Sequence, residues 1–192
     1  MKMLYLMILI VAMIIGLLRG GELNSLYRIS IEGVSLFAAA LILRISIWFV
    51  EYTKLSFFFP YVTIIIMISY FLLIFASIKN MKLPGFKYIT LGILLNSFVI
   101  LANQGKMPVL INQGLAQHIN PNTLMENSRS MIHYLKNGGT LFAFLGDVLP
   151  LPNPFPENAI LSVGDILIFV GILIFVQKTM LREKGQKPET IE

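Results

Sequence analysis

The chain has 192 residues, a net charge of +5, 56% hydrophobic residues and 13% charged residues. Soluble domains carry about one-quarter charged residues, so this balance, with a mean hydropathy of +0.78, excludes an ordinary soluble domain and indicates a membrane protein. The absence of cysteine excludes disulfides, thiolate catalysis and Cys-held metal centres, and two histidines, His118 and His133, are too few for a His-dominated metal site.

The expected fold class is an all-α integral membrane protein with about five transmembrane helices. Residues 3–18 form the first apolar run. Lys2 precedes it, as in a signal peptide, but Arg19-Gly20-Gly21-Glu22 follows it rather than a small-x-small cleavage site, so it reads as a helix. At about 1.5 Å per residue it only just spans ~30 Å of hydrocarbon. The second run, 33–50, contains Arg44 and is closed by Trp48 near an interface. The third, 57–78, carries Pro60 in its first turn, where proline costs least. A short basic turn with Leu83-Pro84-Gly85 leads to the fourth run, 88–102, which holds Asn96. A long polar segment, 103–158, precedes the fifth run, 159–176. Residues 1–177 read as one bundle and 178–192 as a charged tail. No internal repeat is visible.

Within the long segment, Leu124, Met125, Met131, Ile132 and Leu135 recur at helical spacing behind the capping residues Asn122 and Thr123. The spacing predicts an interfacial helix over about 122–136, with a helix packed on the transmembrane bundle as the alternative. Residues 140–145 are too short to span and read as a re-entrant piece. Lys and Arg set the orientation. Arg19, Arg28, Lys79, Lys82, Lys87, Lys178, Arg182, Lys184 and Lys187 fall on one side of a five-span topology. Lys2, Lys54, Lys106, Arg129 and Lys136 fall on the other. The positive-inside rule places the N-terminus outside, the C-terminus in the cytoplasm and 103–158 facing outward. The basic residues cluster at the ends of apolar runs, so the lipid bilayer is the expected partner and nucleic acid is not.

Ionisable and polar residues at membrane depth are costly and mark candidate sites. Here they are Arg44, Asn96 and Asp165, with Asp147 and Asn103 beside the spans. In the five-span topology all of them meet just under the outer interface. Each also has a structural reading. Ser162-Val163-Gly164-Asp165 fits a capping box, with Asp165 at the third helical position. Asp147 can close an Asx-turn. Arg44 can snorkel outward or pair with Asp165, and that ion pair is the expected arrangement. Asn96 can bind helix to helix. Gly105 allows a tight turn, and Met107-Pro108 can fold back on the bundle. The histidines read as surface residues.

Several segments together resemble a known family. They are Gly16-Leu17-Leu18-Arg19-Gly20-Gly21, Leu83-Pro84-Gly85, Leu91-Gly92-Ile93-Leu94-Leu95-Asn96, Ala102-Asn103-Gln104-Gly105-Lys106-Met107-Pro108-Val109, Leu145-Gly146-Asp147-Val148-Leu149-Pro150-Leu151-Pro152 and Ser162-Val163-Gly164-Asp165. The chain is similar to a bacterial family of small multi-pass membrane proteins classed as a domain of unknown function. The resemblance implies five helices in a bacterial inner membrane and implies no activity. A slighter resemblance concerns chemistry. Lipoprotein signal peptidases carry one aspartate in an Asn-x-x-Asp-Arg motif and a second in an Asn-x-Ala-Asp-x-x-Ile motif at the outer start of the last helix. Asp147 and Asp165 stand in similar order, and Ile168 is in place. Ser162 stands for the second Asn, Phe144 for the first, and Val148 for the Arg.

Two functions follow. The favoured one is a non-enzymatic protein: a subunit of a membrane complex, or a binder of a lipid head group or small solute through Arg44, Asn96, Asn103, Gly105, Met107, Pro108 and Ser162. The alternative is an intramembrane aspartyl hydrolase with Asp147 and Asp165 as a dyad sharing one proton. No cofactor or metal is expected. No phosphate-binding glycine motif is present.

Overall fold

The computed structural model describes residues 2–109, 133–135, 138–151 and 160–181. The helices among them are α1 (Lys2–Leu18), α2 (Asn24–Tyr27), α3 (Val34–Thr53), α4 (Val62–Lys79), α5 (Phe86–Ala102) and α6 (Val163–Met180). Three of the apolar segments are long and apolar enough to cross a membrane: Val34–Thr53, Ser56–Lys79 and Val163–Met180. Leu4–Leu18 and Phe86–Ala102 are shorter apolar helices. Bulky apolar side chains such as Leu41, Ile42, Phe71 and Leu101 are exposed on the bundle. So many exposed bulky apolar side chains suit a lipid environment.

Short polar devices separate the helices. Gly33 and Gly85 adopt left-handed backbone at the starts of α3 and α5. A 3-10 helix, Ser56–Tyr61, carries Pro60 ahead of α4, so the regular hydrogen-bond ladder starts after the residue that cannot donate to it. At the far end of α4, the Asn80 amide donates to the carbonyls of Glu32 and Ala76, and its oxygen accepts from the Glu32 N–H. That clasp fixes the start of α3 against α4.

Packing follows small residues. α5 and α6 run antiparallel and make the closest helix contact. A Cβ placed on Gly92 would collide with the Gly164 carbonyl, and one on Gly85 with the Gly171 carbonyl. Glycines let the two backbones touch, which is how apolar helices associate when apolar surface alone gives no preference. α1 packs on α6 in parallel, with Leu4 beside Phe169 at one end and Ala12 beside Val176 and Met180 further along. A second core joins Ile47 and Val50 of α3, Val62 and Ile66 of α4, and Val99 and Ile100 of α5.

The all-α expectation needs correction. A four-stranded sheet closes one end of the bundle, in the order β2-β1-β3-β4. Its strands are β1 (Met107–Val109), β2 (His133–Leu135), β3 (Asp147–Pro150) and β4 (Ile160–Ser162). β1 is parallel to β2 and to β3, and β3 is antiparallel to β4 with an irregularity between Asp147 and Leu149. β1 follows the end of α5 and β4 leads directly into α6, so the sheet sits where those two helix ends meet. Strands of three or four residues are too short to display a period-two pattern. The fifth apolar run therefore opens as strand, not helix. Most of the expected interfacial helix 122–136 lies outside the described residues, but His133–Leu135 is strand. In the segment read as re-entrant, Ala143–Leu145 is one 3-10 turn leading to β3.

Candidate functional site

The polar residues gather where α1, α5 and α6 meet the sheet. Ser162 ends β4 and caps α6. Its hydroxyl accepts from the Asp165 N–H at 2.9 Å, and Asp165 Oδ2 accepts from the Ser162 N–H at 3.1 Å. This closes the capping box, whose two bonds satisfy donors that a helix start otherwise leaves open. Asp165 Oδ1 accepts from Asn96 Nδ2 at 3.0 Å and from the Tyr5 hydroxyl at 2.9 Å. The Ser162 hydroxyl donates to Asn96 Oδ1 at 2.8 Å. Asn96, Ser162 and Asp165 are buried. The close approach at Gly164 makes the network possible, because a side chain there would strike the Asn96 amide. Both oxygens of Asp165 are thus committed to donors from three separate elements.

Asp147 sits one strand away, paired with Ser162 across β3 and β4 and with Val109 across β1 and β3. It is buried. Its Oδ2 lies 3.5 Å from His133 Nε2, and its Oδ1 meets no hydrogen-bond partner among the described residues. Burial pushes the Asp147 carboxyl well above the usual carboxylate range, and the neighbouring Asp165 carboxylate adds to the effect. Burial pushes the His133 imidazole down, while Glu51 and Asp165 oppose it. Burial thus disfavours the charged form of each group. His133 is half-buried against Asp147 rather than fully at the surface, and His118 lies outside the described residues.

Arg44 does not form the expected ion pair. Its guanidinium lies over the Tyr70 ring, 4.3 Å from the centroid, a cation–π contact that compensates a desolvated charge without a carboxylate. Tyr5 and Asp165 remain within its electrostatic reach.

The remaining sequence candidates fall at the junction of α5 and β1, beside this network and not in it. Asn103 caps α5, donating to the Val99 and Leu141 carbonyls and accepting from the Leu141 N–H. Gly105 turns the chain with φ +88° against Thr63. Met107 joins the α3–α4–α5 core, and Pro108, in β1, is fully buried. Three contributors escaped the sequence reading. Tyr5, Tyr70 and His133 look like ordinary interfacial or loop residues. Only Tyr5 had a usable signal: a phenol inside an apolar run needs a buried partner for its hydroxyl.

Apolar helices closed at one end by a small sheet, with a buried hydrogen-bonded cluster at the joint, define a helical bundle compatible with a membrane. The chain belongs to the family of unknown function DUF5317, whose profile matches residues 28–177. It is also 28% identical over 171 residues to an uncharacterised protein of Thermotoga maritima, covering 88% of this chain and 87% of that one. No solved structure matches.

Proposed function

We infer that this is a multi-pass protein of the bacterial cytoplasmic membrane with a non-enzymatic role, a subunit that holds an outward-facing sheet rigidly on its bundle. The N-terminus and the sheet lie outside, and the C-terminus lies in the cytoplasm. The supporting observation is the closure of the Asp165 network. A carboxylate whose oxygens already accept from Tyr5, Asn96 and Ser162 has little capacity left to activate a water. A working aspartyl dyad needs one proton shared between two carboxyls, and the fixed Asp165 lends that arrangement no support. The described residues at the opposite end include Arg19, Arg28, Lys79, Lys82, Lys87 and Lys178, which favours that end as cytoplasmic.

The test compares function with folding. In a structural network, Asp165→Asn places an amide donor against existing donors and should cost about 2 kcal/mol of stability. Tyr5→Phe should cost about 1 kcal/mol. Cellular activity of the two variants, read by complementation of a deletion strain, should fall only in step with the amount of folded protein in the membrane. An Asp165→Asn protein of unchanged thermal stability and abundance that complements nothing would overturn the non-enzymatic reading.

A further inference from the structure

At the end opposite the sheet, a groove of about 320 Å³ opens between Arg19, Leu173, Ile174, Gln177, Lys178 and Leu181. Its walls are the outer face of α6 and the residue that follows α1. The lining surface is almost wholly apolar, from Leu173, Ile174, Leu181 and the stems of Arg19 and Lys178, whose charged ends stand outside the groove. The cations differ in how they are held. Arg19 Nη1 donates to Gln177 Oε1 at 2.9 Å, and Gln177 Nε2 donates to the Ala12 carbonyl at 2.6 Å. The guanidinium is therefore held beside the groove by a chain of bonds that starts on the α1 backbone, and it keeps other donors for a ligand. Gly16 and Gly21 pack directly on Met180, and the Glu22 N–H donates to its carbonyl, fixing the α1 terminus to α6. Lys178 is a flexible point charge in the last turn of α6.

We propose that this groove is a binding site for an anionic phospholipid, its phosphate between Arg19 and Lys178 and an acyl chain along Leu173, Ile174 and Leu181. The inference rests on the membrane reading above. The shape carries it together with the charge. An aliphatic groove flanked by two basic residues suits a molecule with an anionic head and an apolar tail, and both basic residues stand at the ends of apolar helices, where lipid phosphates lie. A planar guanidinium fixed in place favours two-point contact with phosphate oxygens.

The experiment uses the full chain reconstituted in nanodiscs of phosphatidylcholine with a minor fraction of phosphatidylglycerol. Native mass spectrometry then counts the lipids retained. Phosphatidylglycerol should be retained in preference to phosphatidylcholine. Arg19→Gln and Lys178→Gln should each weaken that retention roughly fivefold, and Ile174→Trp, which fills the groove and keeps both charges, should do so as well. Lys87→Gln, at the same end and outside the groove, should leave it unchanged. Among the described residues Lys178 makes no hydrogen bond or ion pair, so its variant isolates the charge. Equal retention of the two lipids overturns the site, as does an equal loss from Lys87→Gln or full retention by Ile174→Trp. A chain that does not insert into bilayers at all overturns the membrane reading instead, and that failure shows before any lipid is counted.

Discussion

Asp147 and Asp165 occupy one buried cluster in opposite circumstances. Asp165 is surrounded by donors, whereas Asp147 keeps an oxygen without one. Their substitutions should therefore differ. The Asp147 pKa is raised on folding, so the folded chain holds its proton where the unfolded chain has lost it. Its contribution to stability is complete below about pH 3.9 and is lost as pH rises through the raised value. The His133 pKa is lowered, so its contribution is complete above about pH 6.5 and is lost as pH falls through the lowered value. Asp147→Asn fixes the neutral form. In detergent at about pH 7.5 this variant should melt at or above the wild-type temperature, and its advantage should shrink on acidification towards about pH 5. A variant that melts several degrees lower at the higher pH would mean that the ionised Asp147 stabilises the fold.

Among the elements, the α5–α6 contact is the one most exposed to single substitutions. The glycines of Leu83-Pro84-Gly85, Leu91-Gly92 and Val163-Gly164 are points where backbone meets backbone. Added methyl groups there must separate the helices and stretch the Asn96–Asp165 bond. Gly92→Ala or Gly164→Ala should each cost about 1–3 kcal/mol in detergent unfolding. Gly138 has open space around it, so Gly138→Ala should stay within about 0.5 kcal/mol. If the seam variants are as harmless as Gly138→Ala, the close approach is not what holds α5 to α6. The same scale explains a boundary. The apolar run begins at 159, yet α6 starts at Val163 because Ser162 and Asp165 close their box there.

For the whole molecule, the parallel packing of α1 on α6 and the antiparallel packing of α5 on α6 place the sheet and the basic helix ends at opposite poles. The native chain has no cysteine, so single cysteines report sidedness cleanly. In intact cells Gly138→Cys should react with a membrane-impermeant maleimide, and Lys82→Cys should react only after permeabilisation. Both positions are exposed. Reaction of both from the same side would remove the outward assignment of the sheet, and with it the depth at which the polar cluster sits.

Composition and run length alone determined that this chain builds apolar helices, because hydrophobicity sustained over about 18 residues has few other solutions. The capping box was legible too, since its two residues lie three apart and act locally. So was the family, whose profile matches residues 28–177. The sheet was not legible. Its strands are three or four residues long, and β1 pairs with residues 26 and 38 positions away, so nothing local encodes it. Nor were the partners of the polar side chains. Sequence placed Arg44 and Asp165 at one level and suggested an ion pair by charge. Tertiary structure decided instead that Tyr5, Asn96 and Ser162 reach Asp165 first, and that Tyr70 receives Arg44, because helix rotation selects among side chains at equal depth and no periodicity in one chain segment reports it.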